Sequence, residues 1–256
     1  MSVSGKNGNS MFYDKFHKHG FKDGVRRIAN KLGIEFYTLK KRPFGTNHLS
    51  DAISMGSLHN PKIIFDIGAN IGHTSMQFRE VFRGAEIYAF EPVRSTFLEL
   101  TKNLNGTDVR AVNVGFGERE ERKKIFLQNL SELNSLVDAL NNANGTGASE
   151  EVEIVTLDNF CERKNISSIS LLKIDTEGFG LNVLKGANTL LKKGAIESIF
   201  IEVGFSEHDK RHDYFFEVFK ILSDCSFKLL GFYDQWIEDS KLEYCNAFFV
   251  LEKAHV

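Results

Sequence analysis

Short unbroken apolar runs punctuate the chain at intervals that leave room for a helix between them. Ile63–Ile67, Glu86–Phe90, Val109–Val114, Ser170–Ile174 and Ser198–Val203 each have the length and bounding turns of a buried strand. Helical periodicity fills the gaps: one helix opens at His73-Thr74-Ser75, and others cover Arg94–Leu104, Leu181–Leu191 and Tyr214–Leu222. Phe227–Phe232 and Ala247–Leu251 close the chain as two more strands, and Lys124–Gln128 with Val152–Thr156 form a further short pair. Alternating β and α units with a β-rich finish predict an α/β fold built on a doubly wound sheet, which takes its ligands outside the carboxyl ends of its strands.

Ahead of this pattern, residues 1 to about 11 are rich in Ser, Gly and Asn, and Phe12–Arg42 is basic. That stretch carries Lys15, Lys18, Lys22, Arg26, Arg27, Lys31, Lys40, Lys41 and Arg42, and Val25, Ile28, Ala29 and Leu32 fall at helical spacing. It divides the chain into a basic helical extension, residues 1–50, and one main domain, residues 51–256. A solvated basic face on a helix beside the main domain is the preferred reading; contact with an anionic acceptor or a membrane surface is the sharper one. The polar run Asn141–Ser149 cannot pack a core and reads as a lid or a disordered loop.

Composition narrows the class. A chain of 256 residues with 42% hydrophobic and 26% charged residues is an ordinary globule, and a net charge of −2 argues against a general nucleic-acid binder. Cys161, Cys225 and Cys245 are odd in number and far apart, which fits neither a disulfide framework nor a metal knuckle and points to a reducing, cytoplasmic setting. No apolar run is long enough to span a bilayer. Nothing in the composition reports the oligomeric state.

Chemistry concentrates where the strands end. The first strand runs into Asp66-Ile67-Gly68-Ala69-Asn70-Ile71-Gly72, a glycine turn that opens a helix, and the second ends on Glu91, about 20 residues on, where nucleoside-binding folds hold ribose hydroxyls. A dinucleotide turn would be G-x-G-x-x-G, so that helix amides receive a pyrophosphate. An acid at Asp66 would repel a pyrophosphate but suits an ammonium, so the charge pattern favours S-adenosylmethionine (SAM) over a nicotinamide dinucleotide. Asp66 and Glu91 are thereby assigned to the ammonium and the ribose, with His73 a hydrogen-bonding neighbour in the first helical turn. Asp175 ends the fourth strand, Glu177 follows it, and Glu202 ends the fifth. These three carboxylates remain for the reacting side, either as a general base for an acceptor hydroxyl or as ligands of a divalent ion. No His or Asn stands clearly placed to complete a metal shell, which favours metal-independent chemistry.

Taken together, Phe65-Asp66-Ile67-Gly68-Ala69-Asn70-Ile71-Gly72, Phe90-Glu91-Pro92, Asn113-Val114-Gly115-Phe116-Gly117, Thr156-Leu157-Asp158 and Leu172-Lys173-Ile174-Asp175-Thr176-Glu177-Gly178 resemble the FkbM-like family of SAM-dependent methyltransferases. Val183-Leu184-Lys185-Gly186-Ala187 and Ile201-Glu202 extend the resemblance over roughly residues 60–205. It implies a class I methyltransferase fold, a seven-stranded sheet with one antiparallel strand, and methyl transfer from SAM to oxygen. It further implies that Asp66, Gly68, Asn70 and Gly72 line the methionine moiety, Glu91 the ribose, Phe116 and Gly117 the adenine, and that Asp175 sits at the transfer site. Gly180 stands where the family commonly carries an acid. The acceptor expected is a carbohydrate hydroxyl of a surface or secreted glycan, with a polyketide-type hydroxyl or a non-enzymatic scaffold as alternatives. His208, Asp209, Arg211, His212, Tyr233 and Trp236 form the polar and aromatic inventory suited to a sugar.

Overall fold

The computed structural model describes residues 27–29, 31–32, 42–127 and 149–252, and divides the chain into two compact units, Met1–Thr46 and Asn47–Val256. In the first unit Arg27–Ala29 and Lys31 are helical; Ala29 is buried, whereas Ile28 and Leu32 are exposed. Most of the basic segment and residues 141–148 of the polar run lie outside the described residues, as does Gln128.

The second unit begins with α1 (His48–Ser54), capped by the Asn47 side chain, which accepts from the Ser50 amide at 2.8 Å. It continues through β1 (Ile63–Ile67), α2 (His73–Val81), β2 (Glu86–Phe90), α3 (Arg94–Asn103), β3 (Arg110–Val112), β4 (Gly115–Phe116) and β5 (Glu121–Phe126). After the undescribed stretch come β6 (Ser149–Val155), α4 (Leu157–Lys164), β7 (Leu171–Ile174), α5 (Gly180–Lys185), α6 (Asn188–Lys192), β8 (Ser198–Gly204), β9 (Asp213–Tyr214), α7 (Phe215–Asp224), β10 (Phe227–Glu238) and β11 (Lys241–Leu251).

The main sheet has the order β10-β11-β8-β7-β1-β2-β3, with β9 added beside β8, so eight strands stand where seven are expected. Pairing is parallel from β3 to β8, and β11 runs antiparallel between β8 and β10. The chain moves outward from β1 to β3 and then returns to β7 on the other side of β1. That reversal opens the crevice in which doubly wound sheets bind ligands.

Alternation within the strands distributes the core over both faces. Phe65 and Ile67 of β1 join Tyr88 and Phe90 of β2 and Leu172 and Ile174 of β7 in a cluster completed by α4 to α7. Ile64, Ile87, Ala89, Leu171 and Phe200 face the opposite layer, with Phe78 of α2 and Leu100 of α3. Lys173 shares that second face by parity with Leu171. A charged residue in the middle of a buried strand demands a partner, and the site described next supplies it.

Three departures from the sequence reading have local causes. The third strand stops at Val112, and Gly115–Phe116 leaves it to build a second, three-stranded sheet in the order β4-β6-β5. The single helix expected over Leu181–Leu191 is two, because Gly186 lies against the Gly117 carbonyl, 2.0 Å from where a Cβ would sit. Asp158 then caps the second piece, accepting from the Thr189 and Leu190 amides at 2.8 and 3.0 Å. The closing strands are longer than their apolar cores, because Asp239 and Ser240 both adopt positive φ and join them by a two-residue turn that keeps the polar ends paired.

Candidate active site at the carboxyl ends of the strands

Gly68 follows β1 with φ +73°, and a Cβ there would stand 1.7 Å from the Asp175 carbonyl oxygen. Glycine at this position therefore serves the close approach of two strand ends rather than of a ligand. Gly72 starts α2 with φ +97°, and its missing Cβ leaves room for Leu100 of α3 at 2.8 Å. Asn70, also at positive φ, directs its amide to Glu91 Oε2 at 3.1 Å; the other oxygen of Glu91 accepts from the Val93 amide at 2.9 Å. Burial pushes the Glu91 carboxyl up to about 7, and those two amide bonds oppose the rise.

A cavity open to solvent lies over this turn. Gly68, Asn70 and Glu91 form its polar floor; Val93, Val114, Phe116 and Ile125 form an apolar wall; Asp175, Thr176 and Glu177 close the far side. Thr176 Oγ1 is buried there without a partner among the described residues, a polar atom ready for one.

Asp66 stands apart from the other strand-end carboxylates. Its carboxylate is fully buried and is not part of the cavity wall. It accepts from Ser75 Oγ at 2.6 Å and pairs with Lys173 Nζ at 3.0 Å. The cause is register: Asp66 and Lys173 are direct partners across β1 and β7, so their side chains leave the sheet on the same face. Lys173 also donates to the Gly68 carbonyl at 3.0 Å and pairs with Asp175 at 3.3 Å. Burial works against its charge, but Asp66 and Asp175 together hold its pKa above the ordinary lysine value. One ammonium thus ties the turn after β1 to the end of β7. Of the other candidates, Gly72 and Gly117 are buried and do not line the cavity, and His73 is exposed at the start of α2.

Asp175, Glu177 and Glu202 do come together, each offering an oxygen within 4.8 Å of the others, and among the described residues no further His, Cys, Asp or Glu joins them. Burial first, and then the charges of Asp175 and Glu177, push Glu202 up to about 9. Glu177 sits at φ +51° and is followed by Gly178, whose Cβ would meet the Lys210 carbonyl at 2.6 Å. The loop before β9 is therefore packed directly on the Asp175–Gly178 turn.

That loop brings residues that spacing alone did not connect. Asp213 is buried and accepts from the Gly180 and Leu181 amides at 2.7 and 2.9 Å, capping α5 from a distant part of the chain. A Cβ on Gly180 would stand 2.5 Å from Asp213 Oδ2, so the side chain missing at 180 makes space for this cap. His212 Nδ1 lies 2.5 Å from Asp209 Oδ2, and its Nε2 faces Glu202 at 3.8 Å. The His212 ring stacks on Tyr244, with centroids 4.2 Å apart and planes 11° apart, and Trp236 lies near parallel to Tyr244 at 6.0 Å. Trp236 remains 54% exposed, while His208 and Arg211 are simply exposed. Tyr233, expected among the acceptor residues, is buried on the other face against His48 and Phe200.

A family model described as the methyltransferase FkbM domain matches residues 66–229, well over half of the chain. Methyltransferase 1 of Beauveria bassiana is 25% identical over 177 residues, covering 62% of this chain and 69% of that protein. Hexuronic acid methyltransferase AglP of Haloferax volcanii is 26% identical over 148 residues, covering 57% of this chain and 59% of that protein. Among solved structures, a methyltransferase FkbM from Methylobacillus flagellatus aligns with a TM-score of 0.49 at 18% identity, over 81% of this chain and 48% of that one. The chain thus spans about half the length of that structure.

Proposed function

From a chain that belongs to the FkbM methyltransferase family and is a SAM-dependent methyltransferase, we propose an enzyme that methylates a hydroxyl of a carbohydrate. The observation that carries the acceptor class is the Trp236–Tyr244–His212 stack beside Glu202. A half-exposed indole offers a sugar ring a flat apolar face, and the carboxylates and imidazole beside it offer partners for several hydroxyls. The 26% identity to a hexuronic acid methyltransferase supports the same class.

The residues present fit SAM. Glu91 stands at the cavity floor to receive the ribose hydroxyls, and Val93, Val114, Phe116 and Ile125 supply an apolar wall for the adenine. Thr176 Oγ1 is available to a polar atom of the amino-acid part. When bound, SAM supplies an electrophilic methyl group on a sulfonium. The chain's own part is to hold that group at the mouth beside Asp175 and Glu177 and to remove the acceptor's proton. Asp66 acts indirectly, by fixing Lys173 beneath the Gly68 turn.

The test is transfer of radiolabelled methyl from SAM to a panel of methyl hexopyranosides, methyl hexuronides and phenols. Hexopyranoside labelling that falls up to about tenfold in Trp236→Ala, with SAM affinity retained, is the expected outcome, one aromatic contact being worth about 0.5–1.5 kcal/mol. Labelling confined to phenols overturns the carbohydrate assignment.

A further inference from the structure

We propose that His212, oriented by Asp209, is the base that takes the proton of the acceptor hydroxyl. This rests on the reading of the reaction as transfer to a hydroxyl. Three observations carry it. A carboxylate on Nδ1 at 2.5 Å makes that nitrogen the donor, so the neutral ring carries its lone pair on Nε2. Asp209 is itself fixed, because its second oxygen accepts from the Arg211 amide at 2.8 Å, and the ring plane is fixed by Tyr244. Finally, Nε2 points at Glu202, whose carboxylate belongs to the same cluster as Asp175 and Glu177 on the cavity wall. The separation of 3.8 Å exceeds a hydrogen bond, so a hydroxyl lying against both groups can give its proton to the imidazole.

The neighbouring carboxylates are less suited to the task. Asp175 is engaged with Lys173, and Glu202 retains its own proton at neutral pH. Glu202 is better fitted to donate a hydrogen bond to the acceptor than to receive its proton. The charged and titratable groups around the imidazole are Asp209 on its own loop, Glu202 of β8, Asp213 of β9 and Tyr244 of β11. In the step, the acceptor O–H bond breaks and its proton goes to His212 Nε2. The oxygen forms its new bond to the methyl carbon, and the electron pair of the broken carbon–sulfur bond stays with sulfur. The imidazolium then returns its proton to solvent.

The experiment compares the full-length wild type with His212→Gln and Asp209→Asn, using SAM titration calorimetry, turnover on the same acceptor panel, and ¹⁵N NMR of histidine-labelled protein. Expected are a fall in kcat of about 10²-fold for His212→Gln and about tenfold for Asp209→Asn, with the SAM Kd within about twofold. The His212 resonances, identified by their loss in His212→Gln, are expected to show the proton on Nδ1 in spectra taken at a pH where the ring is neutral, an order lost in Asp209→Asn. Turnover of His212→Gln within about threefold of wild type, a ring protonated on Nε2, or transfer to carboxylate oxygen alone overturns the proposal. Phenols methylated with full His212 dependence while hexopyranosides stay inert would sink the carbohydrate reading and leave the base in place. Hexopyranosides methylated without His212 dependence would do the reverse. If no member of the panel is labelled, the protonated nitrogen of His212 decides.

Discussion

At the residue scale, Glu91 carries the sharpest consequence for binding. Its carboxyl holds a proton up to about pH 7, and the ionised form is the one that accepts strong hydrogen bonds from vicinal hydroxyls. SAM affinity is therefore expected to weaken up to about tenfold between pH 8 and pH 6, since one pH unit below the pKa is worth about 1.4 kcal/mol. Glu91→Gln is expected to bind SAM at least about tenfold more weakly and to lose that pH dependence, both measurable by calorimetry. Gly68→Ala is a folding test instead: with φ +73° and a backbone oxygen 1.7 Å from the new methyl, it should cost more than about 2 kcal/mol in denaturant unfolding. The position of Glu91 on the cavity lining was legible from its place after an apolar strand. The burial of Asp66 was not legible, because strand-end position does not reveal which way a side chain leaves the sheet. Lys173 held the missing clue: a lysine between Leu172 and Ile174 in a buried strand requires a carboxylate beside it, and parallel register supplies Asp66.

At the scale of elements, apolar runs were enough to locate the parallel core, because each buried strand needs both faces covered and reads as a run. What they could not locate were features set by contacts between distant segments. The kink that sends Gly115–Phe116 into a second sheet, the break at Gly186 and the capping of α5 by Asp213 all depend on residues more than 30 positions away. Asp213 offers a measurable case. Asp213→Ala removes two amide acceptors at the start of α5 and should lower stability by about 1–2 kcal/mol, read from the urea midpoint at unchanged slope. Because α5 follows the Asp175–Gly178 turn directly, the same change should disturb turnover more than its stability cost suggests. The Trp236–Tyr244–His212 stack was only partly legible: His212 and Trp236 were in the inventory, Tyr244 was not, and His212 and Tyr244 meet only because β11 lies antiparallel to β8.

For the whole molecule, the raised carboxyl groups set a pH dependence of folding. Glu91 at about 7 and Glu202 at about 9 both lie above their ordinary value of 4.5, with Asp213 raised in the same direction. Between these values the two carboxyls bind more protons in the folded chain than in the unfolded one and lower stability as pH rises. They outweigh His48, whose burial holds it down to about 4 and works the other way below about 6.5. Each group contributes up to roughly 1.4 kcal/mol per pH unit within its window. The ligand-free protein is expected to have a higher Tm at pH 5 than at pH 8, and Glu202→Gln should flatten the decline above pH 7, where Glu91 is already ionised. A Tm that climbs from pH 5 to pH 8 would contradict the burial of these groups. The site is thus assembled against the preference of its own charges, which is common where acid–base work is done.

Trp236 is the single tryptophan in the chain, and it stands on the β10–β11 hairpin next to Tyr244 rather than in the core. All indole fluorescence from this molecule consequently originates at one half-exposed side chain. Unfolding should shift its emission maximum little, since the ring already meets water, whereas a ring-shaped molecule settling on it should quench or blue-shift the whole signal. The protein carries its own optical probe of that surface, with no label and no background from buried indoles.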